Sequence, residues 1–148
     1  MLTEEKKARI AEKWAYYREC SSKKRKKLRD HSFAFYVEYE YDWGVEDAFR
    51  FEVDEETHVI GLGYAGPRSD DFVRIVTNLK EKDTQEVGYL FEPGEANLLF
   101  SRRKENIYIE LPHMDDGFFL SYAFFVEKIL EGYQRRRDFA ARAPCCNS

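Results

Sequence analysis

Acidic side chains are concentrated between Glu38 and Glu56, where nine carboxylates accompany a single cation, Arg50. Carboxylates in pairs perform the acid–base steps of glycoside hydrolysis when their separation is right. That chemistry also needs an apolar pocket that raises the pKa of one carboxyl group. Carboxylates that share one face of an exposed strand have no such pocket. The pattern therefore favours a binding surface, and we expect the protein not to be an enzyme.

Two acidic runs offer oxygen ligands of the kind that Ca²⁺ and Mg²⁺ take, Asp54-Glu55-Glu56 and Asp115-Asp116. Neither run has the spacing and the glycine of an EF-hand loop. The histidines and cysteines show no pairing of the kind found in zinc sites, and they are His31, His58, His113, Cys20, Cys145 and Cys146. No P-loop, Gly-x-Ser-x-Gly or dinucleotide-binding motif occurs. We therefore expect no metal and no cofactor.

A basic run, Lys23 to Lys27, places five cations in a row. Such a run can bind nucleic-acid phosphates or serve as a nuclear address. The adjoining acidic segment would repel a phosphate backbone, so we favour a solvated helix end and do not expect nucleic-acid binding. A nucleic-acid-associated function of this segment stays as the alternative.

Charge is divided unevenly along the 148 residues. Residues 1–30 hold eleven Lys and Arg against five Asp and Glu, a net charge of +6. Residues 31–132 have a net charge of −13, and residues 133–148 one of +3. Because summed charge governs long-range attraction, the acidic body at residues 31–132 favours a basic partner.

Other features bear on where the protein resides. The longest apolar stretch, Phe118 to Val126, is too short to span a membrane. The first residues lack the apolar core of a secretory signal, and three cysteines cannot form a disulfide framework. We expect a cytoplasmic protein without membrane attachment, folded as a single domain over residues 1–148.

The elements that position these side chains follow from the spacing of apolar residues. Thr3 begins a basic N-terminal helix, placed at residues 3–29, in which Ile10, Trp14 and Tyr17 form an apolar stripe that should dock on the body. From Phe33 the period changes to two, which predicts an antiparallel meander of three strands up to Tyr64.

The second half repeats this order of elements. A helix is predicted at residues 69–83, with Phe72, Val73, Val76 and Leu79 on its inner stripe, followed by strands at 86–91, 96–102 and 106–111. The last helix is placed at Phe118 to Arg137, and a flexible basic tail from about residue 139. The order α-βββ-α-βββ-α predicts an α+β fold with about six antiparallel strands in one sheet and helices packed on one face.

The opposite face of that sheet is predicted to be solvated and to bind the partner, the alternative being a plain solubilising face that prevents sheet aggregation. It combines carboxylates with aromatic side chains, the composition of binding hot spots. Its predicted partner-binding residues are Tyr36, Glu38, Glu40, Asp42, Trp43, Glu52, Asp54, Tyr108 and Glu110.

The turn Phe91-Glu92-Pro93-Gly94-Glu95, followed by two amphipathic strands and a final helix, resembles a pattern in small bacterial α+β domains. Many of those are similar to immunity proteins encoded beside polymorphic or contact-dependent toxins. The resemblance covers about residues 33–133 and implies a non-enzymatic protein that binds and neutralises a toxin in the producer's cytoplasm. The acidic body makes the expected toxin domain a basic one. A nucleic-acid-associated or regulatory accessory protein is the alternative, and a small hydrolase comes third.

Overall fold

The computed structural model describes residues 3–41, 44–62, 67–91, 94–111 and 117–142, which form four helices and seven strands. This confirms the α+β class. The N-terminal segment forms two helices, α1 (Glu4–Glu19) and α2 (Ser22–Arg29), where one helix was predicted. The backbone is extended at Cys20 and Ser21, and the Ser21 hydroxyl accepts a hydrogen bond from the Lys24 amide at 3.2 Å. A second N-cap therefore starts a new helix.

The predicted meander is confirmed as a three-stranded antiparallel sheet. It consists of β1 (Ser32–Tyr41), β2 (Gly44–Val53) and β3 (Glu56–Gly61), in that order. Its alternation buries one face, because Phe33 pairs with Phe51 across the strands and Phe35 with Phe49.

The second half begins with α3 (Pro67–Val76), which is shorter than predicted. Its predicted inner stripe is nevertheless buried, including Leu79 just beyond the helix. A four-stranded antiparallel sheet follows, in the order β4 (Thr84–Phe91), β5 (Gly94–Arg103), β6 (Asn106–Glu110) and β7 (Gly117–Ser121). The last helix is α4 (Tyr122–Arg142), which extends five residues beyond the predicted end at Arg137.

Strand β7 is a correction, because residues 118–121 were predicted to begin the last helix. Phe118 and Leu120 enter the main core, whereas Phe119 packs against α1 on the opposite face of the sheet. A strand that is buried on both faces carries a continuous apolar run, which periodicity cannot distinguish from a buried helix. Gly117 permits the pairing, since a Cβ there would clash with the carbonyl oxygen of Ile109.

The prediction of a single sheet is also wrong. The two sheets are separate, and their inner faces share one core. In this core the ring centroids of Phe51 and Phe118 are 4.6 Å apart, and those of Phe49 and Phe100 are 6.0 Å apart. Helix α4 joins this core through Phe125 and Ile129. The connection through α3 allows β4 either to pair with β3 or to start a new sheet, and core packing decides between them.

Nor do the helices all lie on one face. Helix α1 covers the outer face of the four-stranded sheet, where the predicted stripe Ile10, Trp14 and Tyr17 is buried against Leu99, Tyr108 and Phe119. Docking through this stripe is confirmed. The four-stranded sheet is thus sandwiched between α1 and the main core.

Candidate functional site

The outer face of the three-stranded sheet remains accessible at its β2–β3 end. The strand register places Arg50 beside Val59 and Glu52 beside Thr57 on this face. Val59 is 47% exposed, and the Arg50 guanidinium lies 3.4 Å from the Glu52 carboxylate. With Asp54, Glu55 and Glu56, all exposed, Glu52 forms a group of four carboxylates that we call the acidic hairpin.

The turn of this hairpin is locally unfavourable for its residues. Asp54 and Glu55 both have a positive φ, 51° and 67°, between the paired residues Val53 and Glu56. A two-residue turn with positive φ at both positions is the type I′ turn, in which Asn-Gly is preferred. A residue with a Cβ loses about 1–2 kcal/mol in this conformation, and Asp less than most. The cost therefore falls mainly on Glu55, because type I′ turns favour Asp as well as Asn at their first position and Gly at their second.

The other predicted binding residues of the first meander are placed only in part. Tyr36 lies half-buried on the outer face of β1. Glu38 and Glu40 belong to β1, but their side chains lie outside the described part of the structure, as do Asp42 and Trp43 altogether. The described part of the predicted surface in this meander is thus Tyr36, Glu52 and Asp54, whereas Glu55 and Glu56 of the acidic hairpin were not predicted to bind.

Tyr108 and Glu110 are corrections to the predicted solvated face. Tyr108 is 1% exposed, and its ring centroid lies 4.7 Å from that of Phe119. Both belong to a buried group that we call the α1 cluster, which consists of Ile10, Trp14, Tyr17, Leu99, Tyr108 and Phe119. Glu110 is 4% exposed, and its Oε1 lies 2.6 Å from the Nε of Arg9 in α1. Both residues do alternate away from the main core as predicted, but α1 covers the face to which they belong.

Polar contacts fix α1 in this position. The Trp14 indole Nε1 donates a hydrogen bond to the Ser101 hydroxyl at 3.1 Å, and this contact is buried. Tyr17 stacks on Phe119 with ring centroids 4.3 Å apart. Buried polar groups are stable only when they are paired, so the indole and the hydroxyl specify where the helix docks. Together with the Arg9 ion pair, these contacts occupy the outer face of the four-stranded sheet.

A buried polar cluster connects β2, α3 and α4, and the sequence analysis did not identify it. Asp47 is completely buried, and its Oδ1 lies 3.8 Å from the Nε of Arg136, too far for a hydrogen bond. Arg136 also binds Asp70 at 2.5 Å, and the Tyr133 hydroxyl donates to the same carboxylate at 2.6 Å. The sequence alone does not reveal this cluster, because Asp47 lies within an alternating strand and its partners Ser69 and Arg136 are more than twenty and almost ninety residues away.

Burial sets the protonation of this cluster. It raises the pKa of Asp47 from 3.8 to about 6, although the Ser69 hydroxyl and the Arg136 guanidinium act in the opposite direction. The hydrogen bond from Tyr133, followed by the interactions with Arg136, lowers the pKa of the exposed Asp70 carboxyl. The cluster joins three elements around the completely buried Asp47, so we assign it a structural role.

The basic run Lys23 to Lys27 lies on α2, a helix with its own cap that packs on β7. Leu28, half-buried, contacts the α1 cluster. The helix is therefore anchored at its C-terminal end, whereas four of the five cations of the run are exposed and Arg25 is half-buried. Residues of this helix and of α4 line a common groove.

The described residues provide neither a cluster of metal ligands nor a membrane-spanning helix. They contain no group of three or more His, Cys, Asp or Glu side chains placed to hold a metal ion. His31 and His58 both lie against phenylalanine rings, those of Phe118 and Phe51. None of the helices in the described part of the chain is long and apolar enough to cross a membrane.

The accessibility of the predicted binding residues is the structural feature that bears on function. Of the predicted binding residues, the structure shows Glu52 and Asp54 of the acidic hairpin to be accessible, next to Glu55 and Glu56. No protein-family model, no curated protein and no solved structure matches the chain.

Proposed function

We propose that the chain is a non-enzymatic protein that binds a basic protein partner through the acidic hairpin. The resemblance to immunity proteins suggests the kind of partner, a cationic toxin domain that the binding neutralises. The observation that carries the proposal is the contrast in coverage. Helix α1 occupies the outer face of one sheet, while the acidic hairpin on the other sheet is exposed.

The chemistry of the hairpin suits a basic surface. Carboxylates attract a cationic partner from a distance and speed its encounter, an effect that salt screens. Val59 adds exposed apolar area next to Arg50 and Thr57 on the same face. Interfaces combine a charged rim with a less polar centre, and this face offers both.

The turn conformation supports the same proposal. Asp54 and Glu55 occupy left-handed positions that favour Asn and Gly. Glu55 stands where Gly would be more stable, and a partner that binds negative charge provides a reason for its presence.

The experiment is co-expression with the product of the neighbouring reading frame, followed by association kinetics on the purified pair. The test variant carries Glu52→Lys, Glu55→Lys and Glu56→Lys. We expect loss of rescue in cells and an on-rate about tenfold or more lower at low salt, because steering contributes about 10- to 1,000-fold to such rates. The difference should shrink at high salt.

The matched control carries Glu12→Lys, Glu81→Lys and Glu127→Lys. These three exposed residues lie on α1, on the α3–β4 connection and on α4, and the change in net charge is the same. If the control slows association as much as the test variant, only net charge matters and the acidic hairpin is not the binding site. If the neighbouring product causes no toxicity and forms no complex, the immunity-type function is wrong.

A further inference from the structure

A groove runs between α2, the start of β1 and α4, on residues that the proposed function does not use. It consists of two adjoining hollows of about 280 and 350 Å³. Phe124 of α4 lines both of them and is the residue that the two hollows share. We call this feature the basic groove.

Cations lie at both ends of the basic groove. Lys26 and Arg29 of α2 line the smaller hollow, and Lys128 and Arg135 of α4 line the larger one. Two carboxylates, Asp30 and Glu131, accompany these four cations, and Glu131 is paired with both Lys128 and Arg135. The groove therefore has an excess of two positive charges, and the exposed lysines of α2 extend the positive surface beyond it.

The donors at the α2 end are only partly used. Arg29 Nη1 donates to Asn106 Oδ1 at a long 3.4 Å, and the buried Arg29 Nε has no hydrogen-bond partner among the described residues. A buried donor without an acceptor is costly, and an anion in the smaller hollow would lie beside this guanidinium. Burial also lowers the pKa of His31 in the same hollow, so this histidine adds no charge at neutral pH.

The junction of the hollows has an aromatic surface. Phe124 is half-buried, and the Lys128 Nζ lies 5.7 Å from its ring centroid. A half-exposed ring between cations is the arrangement on which proteins stack the bases of single strands while their cations follow the phosphates. A duplex keeps its bases stacked on one another and does not present them to such a ring.

We propose that the basic groove binds single-stranded nucleic acid, with phosphates at Lys26 and Lys128 and a base against Phe124. The anchoring of α2 on β7 is what brings the basic run to the aromatic ring of α4. An acidic peptide would satisfy the cations but leaves the aromatic ring unused, so the nucleic acid accounts for more of the groove. This inference is independent of the proposed protein partner.

The experiment is a fluorescence anisotropy titration of the full chain with a labelled oligothymidylate of about twelve nucleotides, within the usual range of site sizes. Lys26→Gln combined with Lys128→Gln removes one cation from each end of the groove. We expect binding to weaken about tenfold or more at about 50 mM salt, and the salt slope to fall by about 1.4, since each single-strand phosphate contact contributes about 0.7.

The matched control is Lys7→Gln combined with Lys80→Gln, which removes the same charge at exposed sites outside both hollows. It should change affinity about twofold or less. Phe124→Leu keeps an apolar side chain but removes the stacking surface, and we expect about fivefold weaker binding because stacking on an aromatic ring contributes that much or more per base. Melting curves of all variants verify that each is folded.

Several outcomes would overturn the inference. These are no binding of the oligonucleotide at about 50 mM salt, equal effects of the groove and control variants, or unchanged affinity in Phe124→Leu with displacement of the oligonucleotide by polyglutamate. The last result would mean a general polyanion or acidic-peptide site. Association with the protein partner that persists in the Lys26→Gln and Lys128→Gln variant separates this inference from the proposed function.

Discussion

The two sheets are built alike but differ on their outer faces. Each contains antiparallel strands of up to ten residues that bury phenylalanines in a shared core. On the four-stranded sheet the outer face is covered by α1, and Glu110 becomes the buried partner of Arg9. On the three-stranded sheet Glu52 remains 45% exposed beside Arg50. Similar alternation therefore places one carboxylate in an interior contact and leaves the other for solvent or a partner.

The comparison shows that a helix packed on the outer face of a sheet decides whether a polar residue on that face is buried or accessible to a partner. Glu110 and Glu52 both point away from the main core. What differs is the stripe Ile10, Trp14 and Tyr17, which gives α1 an apolar surface to bury. The charge of an outer face can be judged as available only once it is known which face the remaining helix covers.

The largest expected effect is the removal of this cover. Trp14→Ala deletes a buried ring and its hydrogen bond to Ser101, and we expect a loss of about 3–5 kcal/mol in the free energy of unfolding. The melting temperature should fall by about 10 °C or more for a chain of this size. Tyr16→Ala, at a neighbouring residue that is 54% exposed, is the control and should change little. Equal effects would mean that α1 does not hold the four-stranded sheet.

The three-stranded sheet has a buried charge of its own, which Asp47→Asn removes. Between pH 3.8 and about 6 the folded protein holds a proton on Asp47 that the unfolded chain has released. Stability should therefore fall as pH rises through this window, in the wild type but not in the variant. Because each unit of pKa difference corresponds to about 1.4 kcal/mol, the free energy of unfolding should fall by an amount on the order of 3 kcal/mol.

Chemical denaturation at several pH values measures this effect as the difference between the two proteins. The variant should be the more stable protein at pH 7, where the wild type has to bury a carboxylate. Arg136 keeps Asp70 as its partner in the variant. Parallel pH profiles for the two proteins would show that Asp47 does not titrate differently in the folded and unfolded states.

A direct test of the comparison is the pair Glu110→Gln and Glu52→Gln. Removal of the Glu110 charge leaves Arg9 without its ionic partner at the edge of a buried contact. We expect the free energy of unfolding to fall by about 1–2 kcal/mol. Removal of the Glu52 charge at an exposed pair should change stability by less than about 0.5 kcal/mol. Urea denaturation of both variants gives the two values, and similar losses would contradict the difference in coverage.

The smallest expected effect concerns the turn of the acidic hairpin. Asp54→Asn combined with Glu55→Gly introduces the residues that a type I′ turn prefers and should raise stability by about 0.5–1 kcal/mol. The proposed function predicts that the same variant binds its partner more slowly, because two carboxylates are gone. A variant that is more stable and binds equally fast would remove the turn from the proposed interface.

Much of the local structure follows from the sequence. The change of apolar period at Phe33 predicts the first meander, the stripe on α1 predicts its burial, and Thr3 caps that helix as expected. These features depend on residues close together in the chain, and local spacing and capping determine them. The acidic hairpin is likewise visible as a run of carboxylates next to a turn.

Tertiary structure decided what lies on each face. Whether β4 pairs with β3 depends on packing between segments that lie far apart in the sequence. The apolar run at residues 118–121 fits a helix equally as well as a strand that is buried on both faces. The burial of Tyr108 and Glu110 and the partner of Asp47 depend on helices far away in the chain. Alternation along a strand assigns a side chain to a face, but only the packed molecule determines whether that face meets water or another element.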